Sequence, residues 1–285
     1  MTFEATFFLA FTILGGLALF LFGMQLMTEG LRQAAGDKLR LIIYRGTGNR
    51  LNGLGLGTGL GFLMHSSATT VMTVGFINAG LLSLVNALPV MMGANVGTTL
   101  SMQLISFKLT DYALFAVALG FLLLAVSPSA LLRNIGRSLL GFGLLFNGMD
   151  LMSGAIEPHR EALLPWLAHL DGSTWQGLLL GTLVAWAFTA VIQSSGATIG
   201  MTFVLITAGV FTSLPQVYPI VLGAHLGTTT TALIASLGCG IEGRRGAVGN
   251  LLFNLFNVAM ALLAAPLFIA AMELTSDDLV RQTAN

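Results

Sequence analysis

Four short stretches of this sequence carry the side chains able to do chemistry, and they come as two matched sets. The first is His65-Ser66-Ser67-Ala68-Thr69-Thr70, followed by Gly93-Ala94-Asn95-Val96-Gly97-Thr98-Thr99. The second is Gln193-Ser194-Ser195-Gly196-Ala197-Thr198, followed by Gly223-Ala224-His225-Leu226-Gly227-Thr228-Thr229. A hydroxyl donates to an oxyanion or ligates a cation through its oxygen, and amide or imidazole groups offer either polarity. Glycines inside apolar sequence predict helices that stop and restart, here near Ser67, Thr98, Ser195 and Thr228. A restart presents free N–H groups and the positive end of a helix dipole, so four converging restarts form an anion cradle without a cationic side chain.

Neither 51 to 107 nor 172 to 241 contains Lys or Arg. A divalent oxyanion at membrane depth carries a large desolvation cost, whereas one helix end returns at most about 2 kcal/mol. Something positive must enter with the anion. Small hard cations suit hydroxyl, amide and carbonyl oxygens, which Gln193, Asn95 and unwound glycine segments supply. The predicted reaction is symport of an oxyanion with cations. Its candidate contacts are His65, Ser66, Ser67, Thr69, Thr70, Asn95, Thr98, Thr99, Gln193, Ser194, Ser195, Thr198, His225, Thr228 and Thr229. His65 is either a packed core histidine or a ligand; as a ligand it makes its half of the site proton-sensitive. His225 stands where the first set has Asn95 and supplies an N–H there. The competing readings are small residues that let helices pack closely and glycines that merely kink them. Doubling and charge-free flanks favour a site.

Composition sets the solvent. With 55% hydrophobic and 8% charged residues over 285 positions, the chain is a polytopic membrane protein. Zero net charge gives no reason to expect nucleic acid. The single cysteine, Cys239, excludes an internal disulfide framework and most thiolate metal sites, and reads as a packing residue. No Gly-x-Ser-x-Gly elbow, Walker loop or His-Glu-x-x-His occurs, so neither an enzyme nor a cofactor is expected.

The elements that must position these residues follow from the uncharged runs. A crossing helix needs about 20 apolar residues. Phe3 to Met27 is the first span, too long and without the basic start of a cleaved signal. Leu31 to Arg50 mixes basic and apolar residues as a surface helix does. Residues 51 to 80 read as a re-entrant hairpin with its tip at His65 to Ser67, and 83 to 107 as a broken span. Tyr112 to Pro128 and Asn134 to Ile156 are further spans, the latter carrying Asn147 and Asp150, an intramembrane acid with a structural or a functional role. Glu157 to Asp171 is interfacial. The plan then recurs, with a hairpin from 174 to 212, a broken span from 215 to 237, and a last span from 246 to 272 with Asn250, Asn254 and Asn257 on one face.

Matched blocks define the repeat: Ser66 with Ser194 at an offset of 128, Gly93 with Gly223 at 130, and Gly23 to Met27 with Gly148 to Met152 at 125. The expected fold is therefore all-α, with inverted-topology repeats over 1–130 and 131–285 and six spans plus two re-entrant hairpins. Three spans per repeat invert the second, so the hairpins enter from opposite faces and their tips meet. Basic residues concentrate in the loops at 29–50, 129–137 and 238–246, which puts those inside and both termini outside.

The doubled Ser-Ser motifs, each followed by Gly-Ala-x-x-Gly-Thr-Thr, resemble the sodium-dependent phosphate cotransporter family, bacterial relatives of the type II carriers, over about residues 10 to 272. The resemblance implies inorganic phosphate as cargo and sodium as the coupling ion. Ser66, Ser67, Thr69, Thr70, Ser194, Ser195 and Thr198 would be the contacts, and sodium would lie near Ser66, Ser67, Gln193, Ser194 and Ser195. It further implies an integral protein of the cell (inner) membrane, a homodimer, and a cytoplasmic phosphate-signalling regulator as partner. The family usually has Gln in both motifs, and His65 departs from it. The end of the chain after the sixth span agrees with an outside C-terminus or marks a truncation. Two alternatives stand beside this: a carrier of another oxyanion such as a carboxylate, and a phosphate-binding membrane scaffold or sensor that transports nothing.

Overall fold

Long runs of Leu, Phe, Val and Ala without charge leave the backbone no partner in lipid but itself, and helices satisfy it. The computed structural model describes residues 3–35, 49–107 and 109–285, and the described residues form helices and no strands. They are α1 (Phe3–Ala35), α2 (Arg50–Asn78), α3 (Leu84–Ile105), α4 (Ala113–Val126), α5 (Ala130–Ile156), α6 (Arg160–Leu167), α7 (Trp175–Ile192), α8 (Ser195–Thr207), α9 (Leu214–Ser236), α10 (Ile241–Leu263), α11 (Ala265–Glu273) and α12 (Leu279–Ala284). Among the described residues, seven helical stretches are long and apolar enough to cross a membrane, those of α1, α2, α7, α9 and α10 included. The count differs from six spans plus hairpins. It includes α2 and α7, where hairpins are expected, and omits α3, whose 22 residues carry Asn86, Asn95, Thr98 and Thr99.

Several boundaries depart from the sequence expectation. The first helix runs on to Ala35 rather than ending at Met27. Most of the expected surface helix, residues 36 to 48, lies outside the described residues. The last span breaks at Ala264, because Pro266 has no N–H to give and crowds the preceding turn. Asp150 is exposed beside Thr12 and His159.

The larger correction concerns Gly93 to Thr99 and Gly223 to Thr229. Both α3 and α9 pass through them as uninterrupted helix, so no restart exists near Thr98 or Thr228. These glycines serve close packing instead. A Cβ on Gly93 would lie 2.0 Å from the Leu54 carbonyl oxygen, and one on Gly223 would lie 2.3 Å from that of Thr182.

The chain divides into two compact units, each drawn from both halves of the sequence. One comprises Met1–Gly36, Ile105–Leu167 and Gly200–Thr212. Within it α1 packs along α5: Gly16 meets Gly148, Gly23 meets Gly141, and Gly30 meets Asn134. Rising numbers on α1 face falling numbers on α5, so the two helices are antiparallel. Spacing by seven keeps one seam in register, and missing side chains let the backbones touch. Phe20, Leu145, Phe146 and Phe203 fill the interior beside this seam.

The other unit comprises Asp37–Leu104, Ala168–Ile199 and Ser213–Asn285. In it Gly53 faces Pro89, Gly57 faces Val90, Gly61 faces Ala94, and the Ser101 hydroxyl donates to the Phe62 carbonyl. The first half of α2 therefore runs parallel to α3. Likewise Gly181 faces Pro219, Gly223 faces Thr182, and Gly227 faces Thr189, so α7 runs parallel to α9. The pairs Gly53–Pro89 and Gly181–Pro219 differ by the same 128 and 130 as the sequence match.

Helix ends repeat as well. After α2, Gly80 at φ 69° closes a turn in which Leu81 N donates to Phe76 O at 2.9 Å. After α8, Gly209 at φ 70° closes another in which Val210 N donates to Leu205 O at 2.9 Å. Glycine is used because the left-handed C-cap suits a residue without Cβ. Among the described residues no Lys, Arg, Asp or Glu is buried.

Candidate binding cavity

Two non-glycine residues among those described have positive φ: His65 (φ 64°, ψ 159°) and Gln193 (φ 58°, ψ 26°). They occupy the same position in the two Ser-Ser motifs, and each interrupts a helix. Ser194 then caps α8, its hydroxyl accepting from Ala197 N at 3.2 Å, as N-cap serines do. Ser66 N donates to the Thr98 hydroxyl oxygen at 2.7 Å, tying the first break to α3.

These segments border one cavity of about 210 Å³ inside the second unit. Its lining includes Ser66, Asn95, Thr98, Thr99, Ser195, His225 and Thr228, with Tyr218, Met102, Ile199, Thr283 and Asn285. Both motifs thus reach the same space, and two equivalent pairs, Asn95 with His225 and Thr98 with Thr228, face it. Among the described residues no Lys, Arg, Asp or Glu lines it. Pockets for drug-sized molecules usually measure about 300–1,000 Å³. This one suits a small ion group.

The hydrogen bonds assign polarity to the lining. The Thr98 hydroxyl donates to Ala94 O at 3.0 Å, Thr99 to Asn95 O at 3.2 Å, and Thr228 to His225 O at 2.7 Å. Tyr218 donates to Ala261 O at 2.9 Å. Helical Ser and Thr commonly bond back to the preceding turn in this way. Their protons are spent on the protein, so they offer the cavity oxygen lone pairs. The hydroxyls of Ser66 and Ser195 make no side-chain hydrogen bond among the described residues and remain available to donate.

Other sequence candidates sit behind the lining. Thr69, Thr70, Thr198 and Thr229 are buried in packing; Thr69 donates to His65 O, Thr229 donates to Leu226 O, and Thr198 pairs with the Thr189 hydroxyl at 2.7 Å. Ser67, Ser194 and His65 are half-buried and Gln193 is exposed, none of them on the cavity. Sequence reasoning missed Tyr218, although it lies two turns before His225 on the same helix face. It also missed Thr283 and Asn285, which follow the last expected span and carry no motif.

A helical chain with crossing-length apolar stretches, and with polar residues of both motifs bordering one small cavity, has the character of an integral membrane protein. The chain belongs to the Na+/Pi-cotransporter family, whose sequence profile matches residues 19–154 and 159–283. It is 31% identical over 249 residues to the Bacillus subtilis protein named "Uncharacterized protein YqeW", covering 85% of this chain and 78% of that one. It is 28% identical over 246 residues to the Escherichia coli protein named "Putative inorganic phosphate export protein YjbB", covering 85% of this chain and 44% of that one. The chain therefore spans less than half of YjbB. A shorter similarity, 37% over 90 residues, links it to the human "Sodium-dependent phosphate transport protein 2C", covering 31% of this chain and 15% of that one. No solved structure matches.

Proposed function

We propose that the protein is a secondary active symporter that carries inorganic phosphate with sodium ions across the cell membrane by alternating access. The observation that carries this reading is the meeting of Ser66 and Ser195 at one cavity that, among the described residues, has no charged side chain in its lining. Two restarting helices, rather than four, give the anion its dipole ends, and the threonine and asparagine oxygens give sodium its ligands. Each sodium ion contributes about 1.4 kcal/mol per tenfold gradient.

The proposal includes two re-entrant hairpins and an inverted repeat. The first half of α2 runs parallel to α3, yet only 18 residues (66–83) separate the break at His65 from the start of α3. At about 1.5 Å per residue the second half of α2 is long enough to return along them. The same argument applies to α7, α8 and α9. The antiparallel seam of α1 and α5 is reciprocal, Gly16 to Gly148 and Gly23 to Gly141, as two repeats of opposite orientation would make it. In this reading the repeats are 1–130 and 131–285, the termini lie outside, the carrier is a homodimer, and a cytoplasmic phosphate regulator is its partner. The chain acts as a carrier and not as an enzyme.

Reconstituted in liposomes, the protein should take up labelled phosphate only with sodium present. Ser66→Ala and Ser195→Ala should each lower that uptake about tenfold or more while the protein stays monodisperse. Uptake indifferent to sodium removes the coupling; a carboxylate that competes where phosphate does not changes the cargo; saturable phosphate binding without counterflow favours a sensor. Counterflow is scored in both directions, since a symporter runs wherever the combined gradient points.

A further inference from the structure

Asn254 is fully buried on α10, does not line the cavity, and makes three hydrogen bonds. Its Nδ2 donates to the Asn250 backbone carbonyl at 2.8 Å and to Asn250 Oδ1 at 3.1 Å. A backbone carbonyl only accepts, so this end of the Asn254 amide must be the NH2 group. Its Oδ1 is thereby left for Asn95, whose Nδ2 donates to it at 3.0 Å. The orientation passes down the chain: Asn250 fixes Asn254, and Asn254 fixes Asn95. Asn95 lines the cavity, and with its NH2 group held from behind, its remaining polar atom is the carbonyl oxygen Oδ1. The neighbouring Thr98 and Thr99 hydroxyls, whose protons go to Ala94 O and Asn95 O, also offer lone pairs.

We propose that Asn254 is a positioning residue that locks the Asn95 amide with its oxygen toward the cavity, and that this oxygen is a ligand of the coupling cation. The inference rests on the symport reading and extends it to a residue that never touches cargo. It also assigns unequal roles to the two halves of the cavity. The position equivalent to Asn95 is His225, so the oriented amide oxygen exists on one side only. Partners that orient a metal ligand from behind typically change cation affinity by about 10- to 100-fold when removed.

The test measures sodium binding to the purified full chain by titration without phosphate, and sodium and phosphate KM values in liposomes. Asn254→Ala should weaken sodium binding and raise the sodium KM about tenfold, with the phosphate KM at saturating sodium and kcat little changed. Asn95→Asp presents an oxygen whichever way the group turns. In that background the Asn254→Ala penalty should disappear, a result that simple loss of packing would not produce. A parent protein that binds no sodium overturns both the symport reading and this inference. Sodium binding in the parent with no loss in Asn254→Ala overturns the inference alone. So does an equal loss in the Asn95→Asp background, or a rise in the phosphate KM as large as that for sodium.

Discussion

At the scale of single residues, the two motifs are held by backbone conformations that side chains resist. A left-handed residue with a Cβ costs about 1–2 kcal/mol, and the combination at His65, φ 64° with ψ 159°, is glycine's own territory. Gln193 is exposed, so replacing it removes strain with little packing to lose. Gln193→Gly should raise stability by about 1 kcal/mol, read as a higher melting temperature in detergent; a lower one would contradict the backbone account. The breaks were legible to within a residue, because hydroxyl and amide groups in charge-free apolar sequence have few other uses. The facing serine was not legible. The cavity takes Ser66 from one motif and Ser195 from the other, which are not equivalent positions. The two breaks differ in ψ, 159° against 26°, so the chain leaves each in a different direction.

Among the elements, glycine does two jobs that look alike in sequence. Gly53, Gly57 and Gly61 form a four-residue ladder against α3, and Gly93 and Gly97 answer it from the other side. A Cβ at Gly57 would lie 2.0 Å from Val90 O, whereas one at Gly59 would meet nothing within 4 Å. Gly57→Ala should destabilise by about 1–3 kcal/mol or more through overpacking. Gly59→Ala should instead stabilise by about 0.4–1 kcal/mol. Thermal unfolding of the two variants side by side checks the contrast, and equal effects would refute the seam. The same ambiguity explains why Gly93 to Thr99 suggested a broken helix. Only the partner backbone tells a glycine that lets a neighbour in from one that lets a helix out. Asn250 and Asn254 could be seen to share a face of their helix, but their link to Asn95 crosses 159 residues of sequence and no periodicity announces it.

For the whole molecule, the hairpin proposal fixes which loops share a side of the membrane. With Cys239 replaced, Asn49→Cys and Leu81→Cys should react with an impermeant thiol reagent from the same face, and Thr174→Cys and Thr212→Cys from the opposite face. Labelling of Asn49→Cys and Leu81→Cys from different faces would make α2 a crossing helix instead. The all-helical class was plain from composition, while the division into two units was not, because each unit collects pieces from both halves of the chain. One further result comes from a cavity bordered, among the described residues, by apolar side chains, amides, hydroxyls and an imidazole but by no charged side chain. On the proposed cycle, such a carrier brings no charged side chain across with its cavity when it reorients empty, so the electrical potential across the membrane, about 2.3 kcal/mol per charge per 100 mV, acts chiefly on the loaded form. The current per turnover then reports chiefly the charge of the cargo and its ions, and a voltage step applied without sodium or phosphate should displace far less charge than one applied with both.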